Sequence, residues 1–278
     1  MLTIQEALSQ GTRLLDDERI VAPRLTAEVL LSHALHCERV YLYAHSEEPL
    51  TELAWIHYGR YLKERIDGKP TQYITQQQEF YGRAFFVSPD VLIPRPETEH
   101  LVEAALKYGR NSRMAIDVGC GSGAIAVTLA LELKHARVFA SDISPGAVKV
   151  ARRNAETHGA KVRFLDGDLL APVRDGCMDL VASNPPYVPR TDEPSLQREV
   201  RDFEPEVALY GGPTGNEMYG RLIPEALRVL KPGGWLVMEL GYRSLKPVRR
   251  LLHSEWRAVQ AIDDLGGIPR VLVAQKVP

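Results

Sequence analysis

The sequence predicts an α/β protein in which a mostly parallel sheet follows a small helical domain. Apolar strand patterns alternate with helical patterns from about residue 111 onward, which is typical of parallel sheets. A glycine-rich turn at residues 119–123 separates the first of these strands from its helix. The first part of the chain shows only helical periodicity, so we expect a separate domain there.

Residues 1–70 are predicted to form the helical domain. Thr3 and Glu6 have the spacing of a capping box at the start of a first helix. Pro23 suits the first turn of a second helix, and residues 51–66 are predicted to form a third. Because no pattern in this domain indicates chemistry, we expect it to recognise the substrate.

Residues 71–95 are predicted to be a β-hairpin linker, with two short strands about a turn at Gly82. Arg95 lies between two prolines, which hold such a segment extended, and the second proline can begin the next helix. Two roles stay open for this arginine: a group that faces a ligand, or a salt-bridged linker residue.

Residues 96–278 are predicted to form the α/β domain. Its strands and helices alternate over residues 114–118, 124–133, 138–141, 145–158, 162–165, 178–183, 222–230 and 235–240. Two late strands near 259–262 and 271–275 complete a sheet of seven. The Pro-Gly-Gly run at 232–234 is expected to separate the last helix from its strand.

Composition argues against several classes of protein. A formal net charge of −2 over 278 residues does not suit a protein that grips a long nucleic acid by its phosphates. No apolar run approaches the ~18 residues of a membrane span, and no secretory signal is expected. The three cysteines are too few and too far apart for a disulfide framework or a zinc site. We therefore expect a cytoplasmic protein without a metal.

The glycine-rich turn favours one kind of ligand. A dinucleotide site requires G-x-G-x-x-G, whereas residues 119–123 have the spacing G-x-G-x-G. Asp117, just before the turn, would repel a pyrophosphate but suits a ligand that carries an ammonium group. S-adenosylmethionine carries an ammonium and a sulfonium instead of phosphates, so we expect it as the cofactor.

Two further acidic residues at strand ends fit the same cofactor. Asp142 is predicted to accept hydrogen bonds from both ribose hydroxyls. Asp168 is predicted to accept the adenine amino group, while Leu169 packs on the ring face. The alternative is that both aspartates only cap helices or turns.

The stretch Asn184-Pro185-Pro186-Tyr187 predicts where a methyl acceptor binds. Its two prolines fix φ near about −65° and make the turn rigid. The Asn184 amide oxygen and the Pro185 carbonyl can accept the two hydrogens of a flat NH2 group, and the Tyr187 ring can cover its plane. The alternative is that Asn-Pro marks only a turn.

Together these residues resemble a known family. The pairing of residues 117–123 with residues 184–187 is similar to that of class I S-adenosylmethionine-dependent amino-methyltransferases, which modify adenine, guanine or glutamine. The narrower resemblance, over essentially the full chain, is to the HemK-type glutamine methyltransferases of peptide chain release factors. It is carried by Tyr73-Ile74, residues 79–82, Phe86-Val87, residues 92–99, residues 201–205 and the helical domain.

The resemblance implies a Rossmann-like class I methyltransferase fold for residues 96–278. It implies that the substrate is the glutamine in the Gly-Gly-Gln loop of class I release factors, held by residues 184–187. It also implies cofactor contacts, from Gly119, Cys120, Gly121, Ser122, Gly123, Asp142, Leu169 and Asn184. The family can carry an aromatic residue at the position of Leu169, and a leucine keeps the apolar contact without the ring stacking.

We expect a monomer that needs no nucleic acid. Two other functions could use the same fold. A nucleic-acid amino-methyltransferase would use the same four residues, since adenine also offers a flat NH2 group. It predicts a basic channel and a separate target-recognition domain, and composition indicates neither. A non-catalytic binding subunit on the same fold is disfavoured, because both the glycine loop and the Asn-Pro-Pro-Tyr stretch are intact.

Overall fold

The computed structural model describes residues 2–278, which divide into two compact units. The first unit contains the chain up to Gln77 together with Gln197–Phe203, and the second contains Gln78–Leu196 and Glu204–Pro278. Met1, the first residue of the predicted helical domain, lies outside the described residues. Within residues 2–278, no helix has the length and apolar character needed to cross a membrane.

The helices are, in chain order, α1 (Ile4–Asp17), α2 (Pro23–Leu35), α3 (Arg39–Ala44), α4 (Glu52–Ile66), α5 (Thr71–Thr75), α6 (Thr98–Tyr108), α7 (Ala124–Glu132), α8 (Pro145–Thr157), α9 (Arg198–Phe203), α10 (Glu206–Leu209), α11 (Glu217–Val229) and α12 (Leu245–Arg249). The strands are β1 (Gln77–Phe80), β2 (Arg83–Phe86), β3 (Met114–Val118), β4 (Arg137–Asp142), β5 (Val162–Asp166), β6 (Met178–Ser183), β7 (Val188–Pro189), β8 (Tyr210–Gly212), β9 (Leu230–Glu239), β10 (Trp256–Asp263) and β11 (Pro269–Lys276).

The first unit is a helical bundle built on the predicted caps. Thr3 and Glu6 form the capping box of α1, and the Thr51 hydroxyl accepts a hydrogen bond from the Ala54 N–H at 3.2 Å to cap α4. The inward faces of α1, α2 and α4 share one apolar core, with Tyr58 fully buried in it. The helices predicted from Pro23 and over 51–66 are therefore confirmed.

The segment Gln197–Phe203 belongs to the first unit although it lies far along the chain. Arg65 on α4 is buried and forms an ion pair with Glu199. The Arg198 guanidinium donates to the Asp67 carbonyl oxygen at 2.7 Å. No periodicity in the sequence signals these contacts, because their partners are separated by more than a hundred residues.

The predicted hairpin is present as a two-stranded sheet of β1 and β2. Tyr81 and Gly82 form its turn with φ of 52° and 67°, the left-handed conformations of a type I′ turn. The following helix, α6, begins at Thr98 rather than at the predicted Pro96, with Glu97 as its N-cap. One turn precedes it, since the Thr98 N–H donates to the Arg95 carbonyl at 3.1 Å.

The second unit contains the predicted sheet of seven strands, in the order β10-β11-β9-β6-β3-β4-β5. β3 pairs in parallel with β4 and β6, and only β11 runs antiparallel to its neighbours. Alternate residues of each central strand face opposite sides. Ala115 joins the core beneath α6 and α7, whereas Ile116 joins the core beneath α11.

Two predicted boundaries near β9 are wrong. The strand begins at Leu230, directly after α11, and the Pro-Gly-Gly run at 232–234 lies within it. The pairing with β6 shifts register there, between Met178 and Leu180, so the run forms an irregularity in the strand instead of a separate loop. The helix itself starts at Glu217, earlier than predicted, because Tyr219 continues its buried face.

Candidate active site

A cavity of about 510 Å3 lies at the carboxyl ends of β3, β4, β5 and β6 in the second unit. These parallel strands end at the same edge, since Val118 lies level with both Ser141 and Ser183. Open α/β sheets bind ligands at this edge. The predicted site residues that line the cavity are Gly119, Gly121, Asp142, Asp168, Leu169, Asn184 and Pro186.

The first two glycines of the loop leave room for a ligand. Gly119 and Gly121 line the cavity with φ of 71° and 53°, and a Cβ added to either would meet no protein atom within 4 Å. Gly123 differs, because a Cβ there would lie 3.0 Å from the Ala151 Cβ on α8. Gly119 and Gly121 therefore open the backbone to a ligand, while Gly123 allows close packing of helices.

Asp117 lies beneath the loop, fully buried at the end of β3. Its Oδ2 accepts a hydrogen bond from the Ala126 N–H at 3.1 Å, but its Oδ1 has no partner within residues 2–278. Burial and, to a smaller extent, the Asp142 carboxylate raise the pKa of this carboxyl to about 7, although the bond from the Ala126 N–H acts in the opposite direction. An unsatisfied buried oxygen of this kind is what the ammonium group of the expected cofactor would complete.

Asp142 ends β4 at the cavity. Its Oδ2 accepts from the Gly121 N–H and its Oδ1 accepts from the Ser144 N–H, both at 2.9 Å. Burial raises the pKa of Asp142, and these backbone bonds act in the opposite direction. Each carboxylate oxygen keeps a further lone pair, so the side chain is both fixed by the backbone and able to accept ligand hydroxyls.

The segment after β5 contributes Asp168 and Leu169 to the cavity wall. Leu169 has a left-handed backbone with φ of 47°, and its carbonyl accepts from the Ser141 hydroxyl at 2.8 Å. The Asp168 carboxylate is half-exposed and forms an ion pair through its Oδ2 with Arg221 on α11. No pattern in the sequence predicts this cation, which also lines the cavity.

The Asn-Pro-Pro-Tyr turn follows β6 and is held from behind. The Asn184 Nδ2 donates to the Thr98 hydroxyl oxygen at 3.2 Å, and that hydroxyl donates to the Glu239 carboxylate at 2.6 Å. The Tyr187 hydroxyl donates to the other carboxylate oxygen of Glu239 at 3.2 Å. The ring of Tyr187 lies so close to Gly241 that a Cβ there would approach it to 2.8 Å.

Glu239 is the buried centre of this arrangement, with 1% of its surface exposed. Burial raises the pKa of its carboxyl. The bonds from Thr98 and Tyr187 and the charge of Arg270 act in the opposite direction, and the pKa that results is about 7. Burial, with the neighbouring Glu239 carboxylate, also raises the pKa of the Tyr187 phenol. No local pattern in the sequence predicts Glu239 or Thr98 as a site residue.

Five predicted site residues lie outside the cavity wall, as does Asp117; one of the five is Gly123, which packs against α8. Pro185, Cys120 and Ser122 are buried, and Tyr187 turns its hydroxyl to Glu239. Burial raises the pKa of the Cys120 thiol well above its ordinary value, which suits an inert wall residue. The Ser122 carbonyl accepts from the Asn154 amide at 2.8 Å and so contributes to the packing of α8.

Arg95 is a salt-bridged residue: its guanidinium lies 2.6 Å from the Glu204 carboxylate and it does not line the cavity. Other cavity residues had no signal in the sequence beyond the family resemblance. They come from the segment before α6 and from the segment that runs from the end of β7 to the start of β8, and they include Asp90, Leu92, Arg190, residues 205–208 and Tyr210.

Two family models match the chain. The PrmC N-terminal domain matches residues 6–75, and the methyltransferase small domain matches residues 97–200. A release factor glutamine methyltransferase from Koribacter versatilis is 45% identical over 278 residues, which is 99% of each chain. Another from Geobacter sulfurreducens is 44% identical and covers 86% of this chain and 84% of its own.

Solved structures share the fold at lower identity. A T. thermophilus 16S rRNA N2 G1207 methyltransferase, in complex with AdoMet and guanosine, superposes with a TM-score of 0.53 and 20% identity. The alignment covers 72% of this chain and 49% of that one. This likeness supports the class I methyltransferase fold predicted for the second unit.

Proposed function

This chain belongs to the release factor glutamine methyltransferase family, and we propose on that premise that it methylates the glutamine of the Gly-Gly-Gln loop of class I peptide chain release factors. The chain is a methyltransferase whose cofactor is S-adenosylmethionine. One observation carries the proposal: a single cavity contains the glycine loop, Asp142 and Asn184. A methyl donor and a flat amide would therefore meet there.

The residues around the cavity fit the cofactor. When bound, it supplies an electrophilic methyl group on a sulfonium. The loop around Gly119 and Gly121 would receive its amino-acid portion, with the ammonium on the side of the buried, unpaired oxygen of Asp117. Asp142 would accept the ribose hydroxyls, and Leu169 would cover one face of the adenine. Asp168, already paired with Arg221, would accept the adenine amino group through its remaining lone pairs.

The acceptor amide is proposed to bind at residues 184–187. Asn184 Oδ1 and the Pro185 carbonyl would accept its two N–H bonds, while Pro186 keeps the turn rigid and the fixed Tyr187 ring borders the amide plane. These contacts polarise the N–H bonds and turn the nitrogen lone pair toward the methyl carbon. Positioning of this kind can contribute ~7–11 kcal/mol. The nitrogen becomes acidic only as it gains the methyl group, so no strongly basic side chain is needed beforehand.

The helical unit, predicted as residues 1–70, is proposed to recognise the release factor away from the reacting glutamine. Within residues 2–278, eleven large apolar side chains are exposed, and seven of them belong to the first unit. Exposed apolar side chains that adjoin one another indicate an interaction surface, and residues three apart on a helix lie on the same face. Leu53 and Ile56 on α4 are two of them, at 64% and 57% exposure.

Replacing both by serine should raise the KM for an intact release factor several-fold and leave methylation of a short Gly-Gly-Gln peptide unchanged. Leu265→Ser is the matched control, because Leu265 is 98% exposed in the second unit. Steady-state kinetics with both substrates measures the difference. Equal KM values for the double variant and the control would remove this role from the α4 surface.

The nucleic-acid alternative is not favoured, because the relatives that span the whole chain are named for release factor glutamine. We further propose that the enzyme acts as a cytoplasmic monomer without nucleic acid, since every group assigned to the cofactor and the amide comes from one chain. Sedimentation at working concentration tests the monomer directly.

The central experiment uses the methyl-labelled cofactor with an intact release factor and with the same factor carrying Gln→Ala in its Gly-Gly-Gln loop. We expect label on the wild-type factor alone, mapped by peptide mass to that glutamine. Label retained on the Gln→Ala factor, or found only on added RNA, would contradict the proposal.

A further inference from the structure

We propose that Glu239, acting through the Thr98 hydroxyl, is a positioning residue that fixes the Asn184 amide with its oxygen toward the substrate. The inference rests on the proposed function, and it assigns roles to Thr98 and Glu239, which lie outside the Asn-Pro-Pro-Tyr stretch. Asn184, Thr98 and Glu239 come from the end of β6, the start of α6 and the end of β9. Their side chains form one continuous chain of hydrogen bonds.

The direction of this chain follows from counting hydrogens. A carboxylate only accepts, so Thr98 must donate its single hydroxyl hydrogen to Glu239 across 2.6 Å. The Thr98 oxygen is then an acceptor toward Asn184 and receives the Nδ2 hydrogen at 3.2 Å. An Asn184 amide turned by 180° would place its oxygen against the Thr98 oxygen with no hydrogen between them.

The orientation matters because an amide has one accepting side and one donating side. The substrate amide presents N–H donors, so only the Oδ1 side of Asn184 can bind it. With Nδ2 directed to Thr98, Oδ1 is left for the cavity, which Asn184 lines. A turned amide would place two sets of N–H groups against each other and lose the alignment on which the rate depends.

The same carboxylate also holds the far end of the turn. The Tyr187 hydroxyl donates to Glu239 Oε1. The two ends of the Asn-Pro-Pro-Tyr stretch are therefore both hydrogen-bonded to the Glu239 carboxylate, Tyr187 directly and Asn184 through Thr98. The backbone of Glu239 is also held by hydrogen bonds. Its carbonyl oxygen accepts from the Tyr219 hydroxyl at 3.0 Å, and the Tyr219 hydroxyl oxygen in turn accepts from the Gly241 N–H at 3.0 Å. Glu239 thus lies in a rigid setting from which it can impose one orientation.

Protonation of Glu239 would weaken this control. A protonated carboxyl can donate to the Thr98 oxygen. The Thr98 hydrogen can then point at Asn184, and the direction of both hydrogen bonds, from Asn184 to Thr98 and from Thr98 to Glu239, reverses. The groups that act on Glu239 are Thr98, Tyr187, Tyr219, Arg270 and Glu97. With the pKa of Glu239 at about 7, the reversal would occur near neutral pH.

The test compares Thr98→Val, Thr98→Ser and Glu239→Gln, with Thr128→Val as a control. Thr128 is as buried as Thr98, but its hydroxyl bonds only to the Ala124 carbonyl within α7. At saturating cofactor we expect kcat to fall on the order of 10- to 100-fold in Thr98→Val, with little change in KM for the release factor. Thr98→Ser, which keeps the hydroxyl, and Thr128→Val should remain close to wild type.

Glu239→Gln keeps the shape of the side chain but can donate to Thr98, so it should lower kcat without unfolding the protein. The wild-type kcat should rise with pH through about 7 as Glu239 loses its proton, and the Gln variant should lack this step. Cofactor affinity, measured by calorimetry, should stay unchanged in all four variants.

A second readout does not depend on activity. The side-chain amide hydrogens of Asn184, assigned in NMR spectra by their loss in Asn184→Asp, should exchange slowly with water in wild type and Thr98→Ser. They should exchange faster in Thr98→Val and Glu239→Gln. Equal exchange in all variants, or a wild-type kcat in Thr98→Val, would overturn the positioning role. A wild-type enzyme that binds cofactor but labels no release factor would instead overturn the proposed function, and the NMR comparison would still decide this inference.

Discussion

Asp117 and Glu239 are two buried carboxylates near the carboxyl ends of strands in one sheet, and burial raises the pKa of each to about 7. Their hydrogen bonding differs. Both oxygens of Glu239 accept hydroxyl hydrogens, from Thr98 and Tyr187. One oxygen of Asp117 has no partner within residues 2–278.

The difference indicates two ways of preparing an active site. Around Asp117 the protein leaves one oxygen without a partner, which the cofactor ammonium would complete, so we expect this side to be organised for affinity. Around Glu239 the protein satisfies the charge itself and uses it to orient Asn184, so this side is organised for geometry. Substitutions on the first side should therefore weaken cofactor binding, and substitutions on the second should slow methyl transfer.

The largest effect should come from Asn184→Ala. It removes the acceptor that orients the amide while Gly121, Asp142 and the rest of the cofactor side remain. Turnover should fall by ~10²–10³, the usual cost of one well-placed polar contact in the transition state, and cofactor affinity should change little. Single-turnover kinetics and calorimetry measure the two quantities separately.

Asn184→Asp sharpens the same test. The carboxylate keeps an acceptor of nearly the same shape but loses the Nδ2 donor to Thr98, and its charge lies on the side that receives a sulfonium. We expect it to bind the cofactor and turn over poorly. A single-turnover rate near wild type in either variant would mean that Asn184 is only a turn residue.

Asp142→Ala should have an intermediate effect, on affinity. Charge-assisted bonding to the ribose would be lost, and since even one such bond is worth ~1.5–3 kcal/mol, the Kd for S-adenosylmethionine should rise at least about 10- to 100-fold. Asp166→Ala is the control, since Asp166 also ends a strand but is exposed and does not line the cavity. An unchanged Kd in a folded Asp142→Ala protein would exclude the ribose assignment.

The smallest effect concerns pH and stability. The folded pKa values of Asp117 and Glu239 lie above the ordinary values of 3.8 and 4.5, so the folded state binds more protons between roughly pH 4 and 7. Their contribution to the free energy of unfolding should therefore fall as pH rises through this window, by at most ~1.4 kcal/mol per pH unit for each group.

Denaturant titrations across that window should show a shallower fall in Glu239→Gln than in wild type. The ammonium of added S-adenosylhomocysteine would lower the pKa of Asp117. The ligand should therefore remove the pH dependence of the free energy of unfolding that Asp117 causes and leave the dependence that Glu239 causes. If the ligand and Glu239→Gln remove the same pH dependence, the ligand does not act through Asp117, and the proposed difference between the two carboxylates is wrong.

Much of the architecture could be predicted because it depends on short stretches of sequence. Three features depend only on residues that are close together in the sequence: the capping box at Thr3, the turn at Gly82 and the strand Met114–Val118. Strand and helix periodicity, glycine and proline are local properties of the chain. The order of strand-end residues therefore indicated the cofactor loop and the Asn-Pro-Pro-Tyr turn.

The partners of those residues were decided only by the tertiary structure. Thr98 and Glu239 are separated by 141 positions and meet because α6 packs against β9 beside the end of β6. The same holds for Arg221 with Asp168 and for Gln197–Phe203 with the first unit. Burial, which raises the pKa of Glu239, and hydrogen-bond direction, which orients Asn184, depend on how distant elements pack, and no local pattern in the sequence records that packing.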